Sequence, residues 1–275
     1  MAITTRAGAI SGLQIPTYVA KALAGDSQAT NRLITSWYAT GWPTAATANA
    51  AGINGQAVSA STYPANCIQR NNPPSGNAYV SDLSLSQGVN GSNLPGVMYL
   101  CDRLWENSGL SVTSTTAQAI TPATLPARDR LASTNGDNVW AGVEWSSAGG
   151  AGTPTVTLTY TNQAGTTGQS ATFTGLTAPP AGTMEIFQLA AGDNGVRAPT
   201  SFIQSATRTS GTMHLVLFRV IAAVAMTIPG RQAQGDLFRL GFPKVLNDSC
   251  LFFLFRSNST SQLPILTGQY QETWG

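Results

Sequence analysis

The chain has 275 residues, of which only 26 are charged: two Lys, twelve Arg, eight Asp and four Glu. An ordinary soluble domain carries about a quarter Asp, Glu, Lys and Arg, so polarity here comes from Ser, Thr, Asn, Gln and Gly. Net charge is +2 without any Lys/Arg cluster, which argues against an electrostatic nucleic-acid footprint. The most apolar stretch, Leu215 to Ile228, is interrupted by Arg219 and stopped by Pro229, too short a run to cross a bilayer as a helix. A neutral polar surface loses little when another protein covers it, because burying a hydrogen-bonded hydroxyl or amide costs far less than burying a charge. The composition points to a chain that works inside an assembly; compositional drift in a secreted protein is the plain alternative. The excess of Arg over Lys suits buried or interfacial pairing, and a GC-rich genome would give the same excess.

The opening Met1-Ala-Ile-Thr-Thr-Arg6 is not followed by an apolar core, so no cleavable signal peptide is expected and synthesis in a cytoplasm is. Residues 1–75 read as an irregular, partly helical N-terminal arm. Thr17 to Leu23 suggests a short helix ended by Gly25. Asp26 or Ser27 would cap a second helix through Gln28 to Tyr38, with Leu33, Ile34 and Trp37 on one stripe. Gly41-Trp42-Pro43 stops it, and an Ala/Thr-rich run from Thr44 to Ala51 leads into Gly, Asn, Ser and Pro up to Ser75. Such a stretch packs no core of its own and reads as an arm that orders against a neighbour.

From residue 76 to 275 the pattern is β. Leu94-Pro95-Gly96 marks a turn before a long strand, Val97 to Trp105. Asn138 to Trp145 places Val139, Ala141, Val143 and Trp145 on one face. Thr155 to Thr161 alternates strictly, Gln163 to Gly168 is a hairpin loop, and Ser170 to Thr174 returns. Met184 to Leu189 is a strand closed by Gly192-Asp193-Asn194-Gly195, and Ser201–Thr209 with Thr212–Val220 suggests another hairpin. Cys250 to Phe255 is almost wholly apolar, hence covered on both faces, and Ile265 to Trp274 is the last strand. Eight to ten strands at this spacing predict an all-β fold, a β-sandwich of jelly-roll-like character.

No constellation of residues carries chemistry clearly. His214 is the only histidine, there is no Gly-x-Ser-x-Gly elbow around which to build a triad, and one His makes no multi-histidine metal site; it reads as an outward-facing or hydrogen-bonded strand residue. Glu144, beside Trp140 and Trp145, is the best candidate for one of the paired acids of a glycosidase. It falls opposite Val143 and Trp145, so solvent or an interface is the plainer setting. Asp102 and Arg103, strand neighbours facing opposite ways, should find cross-strand partners. Gly192-Asp193-Asn194-Gly195 lacks the acids of a calcium loop and is explained by turn chemistry. Cys67, Cys101 and Cys250 fit no zinc or redox spacing and read as free buried thiols. Asn258-Ser259-Thr260 is a sequon without meaning outside a secretory pathway. Catalytic residues, cofactors and metals are therefore not expected.

Several segments, in order and spacing, resemble a group of virion proteins from tailed bacteriophages. They are the opening Met1-Ala-Ile-Thr-Thr, Tyr99-Leu100-Cys101-Asp102-Arg103-Leu104, Leu125-Pro126-Ala127-Arg128, Val143-Glu144-Trp145 and Thr159-Tyr160-Thr161-Asn162. Further on come Ala191-Gly192-Asp193, Gly195-Val196-Arg197 and Gly241-Phe242-Pro243-Lys244-Val245. The likeness spans most of residues 95 to 275 and is weak before that. The group is similar in character to capsid decoration, or cement, proteins. The resemblance implies a structural virion protein on the phage head, bound to the major capsid protein and to itself as a homotrimer, with no nucleic-acid or membrane partner. Trp37, Trp42 and Trp274 are then candidate interface anchors. A tail, fibre or baseplate β domain that binds a host receptor or sugar is the alternative, although no fibrous shaft or coiled coil is found.

Overall fold

In the described residues, period-two patterning is realised mainly as antiparallel strands. In the computed structural model, residues 3, 5–23, 32–47, 55–88, 96–227, 231–257 and 265–275 are described. They contain one helix, Arg6–Ser11, and seventeen strands, so the fold is all-β. The suggested caps at Asp26 and Ser27, the turn at Leu94-Pro95 and the sequon at Asn258 lie outside the described residues.

The chain divides into two compact units. One comprises Met1–Ala46, Ala60–Cys101 and Ile221–Gly275, the other Thr47–Ser59 and Asp102–Val220. This differs from the expected split into an arm, 1–75, and a sandwich, 76–275. Two of the four boundaries fall inside long strands, Gly96–Asn107 and Thr212–Met226.

In the first unit, the expected helix over Thr17–Leu23 is instead a strand, Thr17–Ala22. It pairs antiparallel with Ile265–Trp274 from Thr17 opposite Tyr270 to Ala22 opposite Ile265. Helix-favouring Ala, Lys and Leu are overridden because sheet pairing turns Val19 and Lys21 inward while Tyr18 and Ala22 stay outside. The order across this sheet is Ala233–Asp236, Ala78–Gly88, Ile265–Trp274, Thr17–Ala22, Thr40–Trp42, with Lys244–Val245 also on Ala78–Gly88. At Gly41, φ is +126°, and a Cβ would stand 2.0 Å from the Ala20 carbonyl oxygen, so only glycine fits. Nor is Leu33–Thr35 helical: it pairs with Cys250–Ser257 from Leu33 opposite Arg256 to Thr35 opposite Leu254. Val19, Leu83, Leu85, Leu266 and Tyr270 share a core with Ile34, Met98, Leu100, Leu251, Phe253 and Phe255. The N-terminal segment thus contributes to a core rather than lying free of one. The helix forms earlier than expected, at Arg6–Ser11, where Thr5 caps it by accepting from Gly8 N at 3.0 Å.

In the second unit, the hairpin Thr155–Asn162/Gln169–Thr174 forms as read, with Tyr160 opposite Gln169 and Thr155 opposite Thr174. Val196–Gln204 joins the same sheet beside Thr155–Asn162. Thr212–Met226 does not return against Val196–Gln204, as a hairpin would. It pairs with Val139–Ser147, so the chain changes sheets at Ser205–Gly211. That connection carries Arg208, whose buried guanidinium donates to the carbonyls of Gly152 (2.9 Å) and Leu176 (2.6 Å). Val139, Ala141, Val143 and Trp145, with Met213, Leu215 and Leu217 across from them, pack over Val156, Leu158, Tyr160 and Phe202.

Candidate interaction surface

Among the described residues, thirteen of the 25 charged ones are buried, including all four glutamates. In Asp102–Val220 only Arg130, Asp193 and Arg197 are not buried, and Thr47–Ser59 holds no charge at all. Two of those three already have partners: Arg130 pairs with Asp137 at 2.6 Å, and Asp193 accepts from Tyr160 Oη and Asn162 Nδ2, each at 2.6 Å. The second unit therefore turns an almost purely neutral, hydroxyl- and amide-bearing surface outward.

The charge sits inside. Arg103, with a fully buried side chain, lies 2.7 Å from Glu144 and 2.7 Å from Glu106. Glu144 is wholly buried, not solvent-facing as its strand position suggested, because the second face of Val139–Ser147 is covered too. Asp102 receives Arg128 Nε at 3.1 Å, with Arg219 at 3.9 Å, and Arg128 also donates to the carbonyls of Val58 and Arg103. The cross-strand partners expected for Asp102 and Arg103 are found in part: Arg219 and Glu144 come from other strands, but Arg128 comes from a connection and Glu106 from the same strand as Arg103. His214, opposite Glu144, is buried and shares a 2.8 Å hydrogen bond with Ser146 Oγ. Desolvation, then the Arg103 charge, pushes its pKa down to about 4. A Ser–His contact is part of nucleophilic catalysis, but so depressed an imidazole is a weak base near neutral pH.

Around Asp129 the loop 128–137 closes on a carboxylate. Desolvation pushes its pKa up, but hydrogen bonds from the Ser133 side chain and the backbone of Ser133, Asp137 and Leu131 outweigh it and hold the group below the usual value. The Gly192–Gly195 turn is anchored by Asp193 to Tyr160, whose hydroxyl is pushed up to about 12 by burial and by Asp193. Among the described residues no group of three or more His, Cys, Asp or Glu side chains is placed to hold a metal. No described helix is long and apolar enough to cross a membrane. All three cysteines are buried.

In the first unit, a cleft of about 300 Å³ runs past Gln14, Pro16, Gln69, Arg70, Glu272 and Trp274. Its charged pair is saturated. Glu272 binds Arg70 through two bonds of 2.6 and 3.2 Å, and also accepts from Tyr270 Oη and Trp274 Nε1. Burial and the Glu272 charge push the Tyr270 hydroxyl well up. This cluster ties the last strand to the segment around Arg70 and leaves no cation free for a ligand.

The three tryptophans fare differently. Trp37 is 1% exposed and packs edge-on against Tyr63 and Phe252, so it is core and not an anchor. Trp274 is half-buried against the apolar cluster. Trp42, on the edge strand, is 48% exposed and stays a candidate. Sequence reading missed the other exposed apolar residues of this unit: Ile10, Leu13, Ile15, Tyr18, Phe238, Phe242 and Ile265. Strand alternation signals Tyr18 and Ile265 once their strands are assigned; the rest sit on a short helix, a connection or a turn that no periodicity marks. No family model, curated protein or solved structure matches the chain.

Proposed function

We propose that the protein is a structural component of a phage head, a decoration protein that binds the capsid lattice and reinforces it. The observation that carries this reading is the near absence of unburied charge from the second unit. Such a surface is covered by a neighbour at low desolvation cost, and repeated contacts on a lattice add avidity without any strong single site. We read the antiparallel sheets packed over apolar clusters as a sandwich of jelly-roll character, set as a homotrimer over a lattice axis. The protein has no catalytic role in this reading. Purified protein should co-sediment with expanded empty heads of its phage at a fixed ratio to the capsid subunit. Uniform failure to bind would remove the proposal.

One observation favours the alternative, a host-receptor module. On the outward face of the six-stranded sheet, an open groove of about 350 Å³ is lined by Tyr18, Ser84, Gln232, Thr267 and Gln269. Two of its lining groups, Ser84 Oγ at 2.6 Å and Gln269 Nε2 at 3.1 Å, donate to Asp82, 9% exposed, which also accepts from Gln234 Nε2 at 2.9 Å; among the described residues these donors are neutral. A groove lined by neutral hydroxyl and amide groups beside an exposed ring suits a neutral sugar. Binding of neutral glycans, lost in Tyr18→Ala, would support that reading over the first.

A further inference from the structure

We propose that the hollow between the Arg6–Ser11 helix and the turn after Asp236 docks an aromatic side chain carried on an acidic segment of a partner protein. The hollow measures about 220 Å³ and is walled by Ala9, Ile10, Leu13, Leu237 and Phe238. Pockets for drug-sized ligands run from about 300 to 1,000 Å³; this one suits a single large side chain. Ile10 is 58% exposed, Leu13 45% and Phe238 67%, and Phe242 stacks its ring edge-on to Phe238 at 5.3 Å.

The turn holds these rings in place. Asp236 accepts from the backbone N–H of Phe238 (3.0 Å) and Arg239 (2.9 Å), Leu240 N donates to Asp236 O, and Phe242 N to Leu237 O. Phe242 has φ +56°, a left-handed conformation that a bulky residue adopts only when its surroundings fix it. A rigid apolar display of this kind loses little freedom on binding.

Two further observations specify the occupant. Ser81 lines the hollow, is 9% exposed, and its Oγ has no hydrogen-bond partner among the described residues. A buried hydroxyl left unpaired is costly, and the polar tip of a Tyr or Trp entering the hollow supplies its partner. Arg6 lies in the lining, and Arg239 and Lys244 are exposed on the turn and just beyond it; none has a carboxylate partner among the described residues. The acid of this segment, Asp236, already holds two backbone N–H groups. The occupant therefore brings carboxylates. A second copy of this chain fits poorly: its unburied charges among the described residues, the paired Arg70 aside, are eight basic and three acidic. The proposal rests on the capsid reading only for the partner's location; the chemistry of the hollow stands apart from it.

The test uses the whole protein and three blocked nine-residue peptides: one rich in Asp and Glu with a central Tyr, the same peptide with a central Ala, and a Lys-rich peptide with a central Tyr. Saturable binding of the first is expected, at least tenfold weaker for the second and undetectable for the third. Phe238→Ala should abolish it with the circular dichroism spectrum unchanged, and Ser81→Ala should weaken it several-fold. Equal binding of the first two peptides, or binding unaffected by Phe238→Ala, overturns the proposal. So does Phe238-dependent binding to vesicles of phosphatidylcholine and phosphatidylglycerol without peptide binding, or conversion of an oligomer to monomer by Phe238→Ala. Peptide binding together with failure to bind empty heads would sink the capsid reading and leave this one standing.

Discussion

Removing Arg103 should be among the most damaging single changes in the second unit. Its guanidinium is the cation facing both Glu144 and Glu106, each at 2.7 Å, and all three side chains are at most 4% exposed. In Arg103→Met the two carboxylates stay in the interior with the Gln56 amide, 3.3 Å from Glu106, as a neutral donor. Breaking one buried pair costs about 3–5 kcal/mol because the remaining charge is uncompensated, so stranding two carboxylates should reach the upper end, about 5 kcal/mol. Glu144→Gln keeps the shape and leaves Arg103 balanced by Glu106, a loss of about 1–3 kcal/mol. Urea unfolding followed by tryptophan emission reads the difference. With m near 3 kcal/mol/M, the midpoint should fall by about 1.7 M for Arg103→Met and by about 0.3–1 M for Glu144→Gln. Carboxylates without a cation take up protons more readily, so the Arg103→Met deficit should narrow as pH falls. The reasoning is refuted if Arg103→Met costs under about 1 kcal/mol, or no more than Glu144→Gln.

Four other outcomes follow from the same structure. His214 is held at about 4 against an ordinary 6.5; the unfolded chain binds this proton more readily, so its share of stability is lost as pH falls from 6.5 to 4. His214→Gln should flatten that part of the profile, and an unchanged slope in urea midpoints would contradict it. Lys21, bonded to the carbonyls of Ala39 (3.0 Å) and Thr44 (3.4 Å), is lowered by desolvation to about 8 from 10.5. Stability should therefore rise between pH 8 and 10.5 in the parent and stay flat in Lys21→Met. Trp37→Ala should lose about 3–5 kcal/mol through the cavity it opens, while Trp42→Ala should leave the urea midpoint within about 0.5 kcal/mol and weaken binding to empty heads. A thiol reagent should find none of the three cysteines in the native chain and all three in urea; rapid native labelling would show that their burial is not maintained.

Strands whose alternation is complete within the sequence were legible. Thr155–Asn162 sets Val156, Leu158 and Tyr160 against threonines, and its glycine-bearing loop fixes the return. Thr17–Ala22 was not, because its Ala and Lys, with Leu23 after them, favour a helix locally and the deciding partner, Ile265–Trp274, lies at the other end of the chain. The same distance hid the setting of Glu144, whose alternation is right but whose outer face is closed by Arg103 from another strand. The shortage of charge was visible from composition. That about half of the described charges are buried, some in ion pairs and others against carbonyls, amides and hydroxyls, leaving three unburied charges on the second unit, needed the fold.

An image reconstruction of the intact virion tests the central claim most directly. The account predicts density for this chain on the head, with the neutral faces of Asp102–Val220 pressed against neighbouring subunits. Particles that lack the chain, or carry it with those faces bathed in solvent, would contradict it.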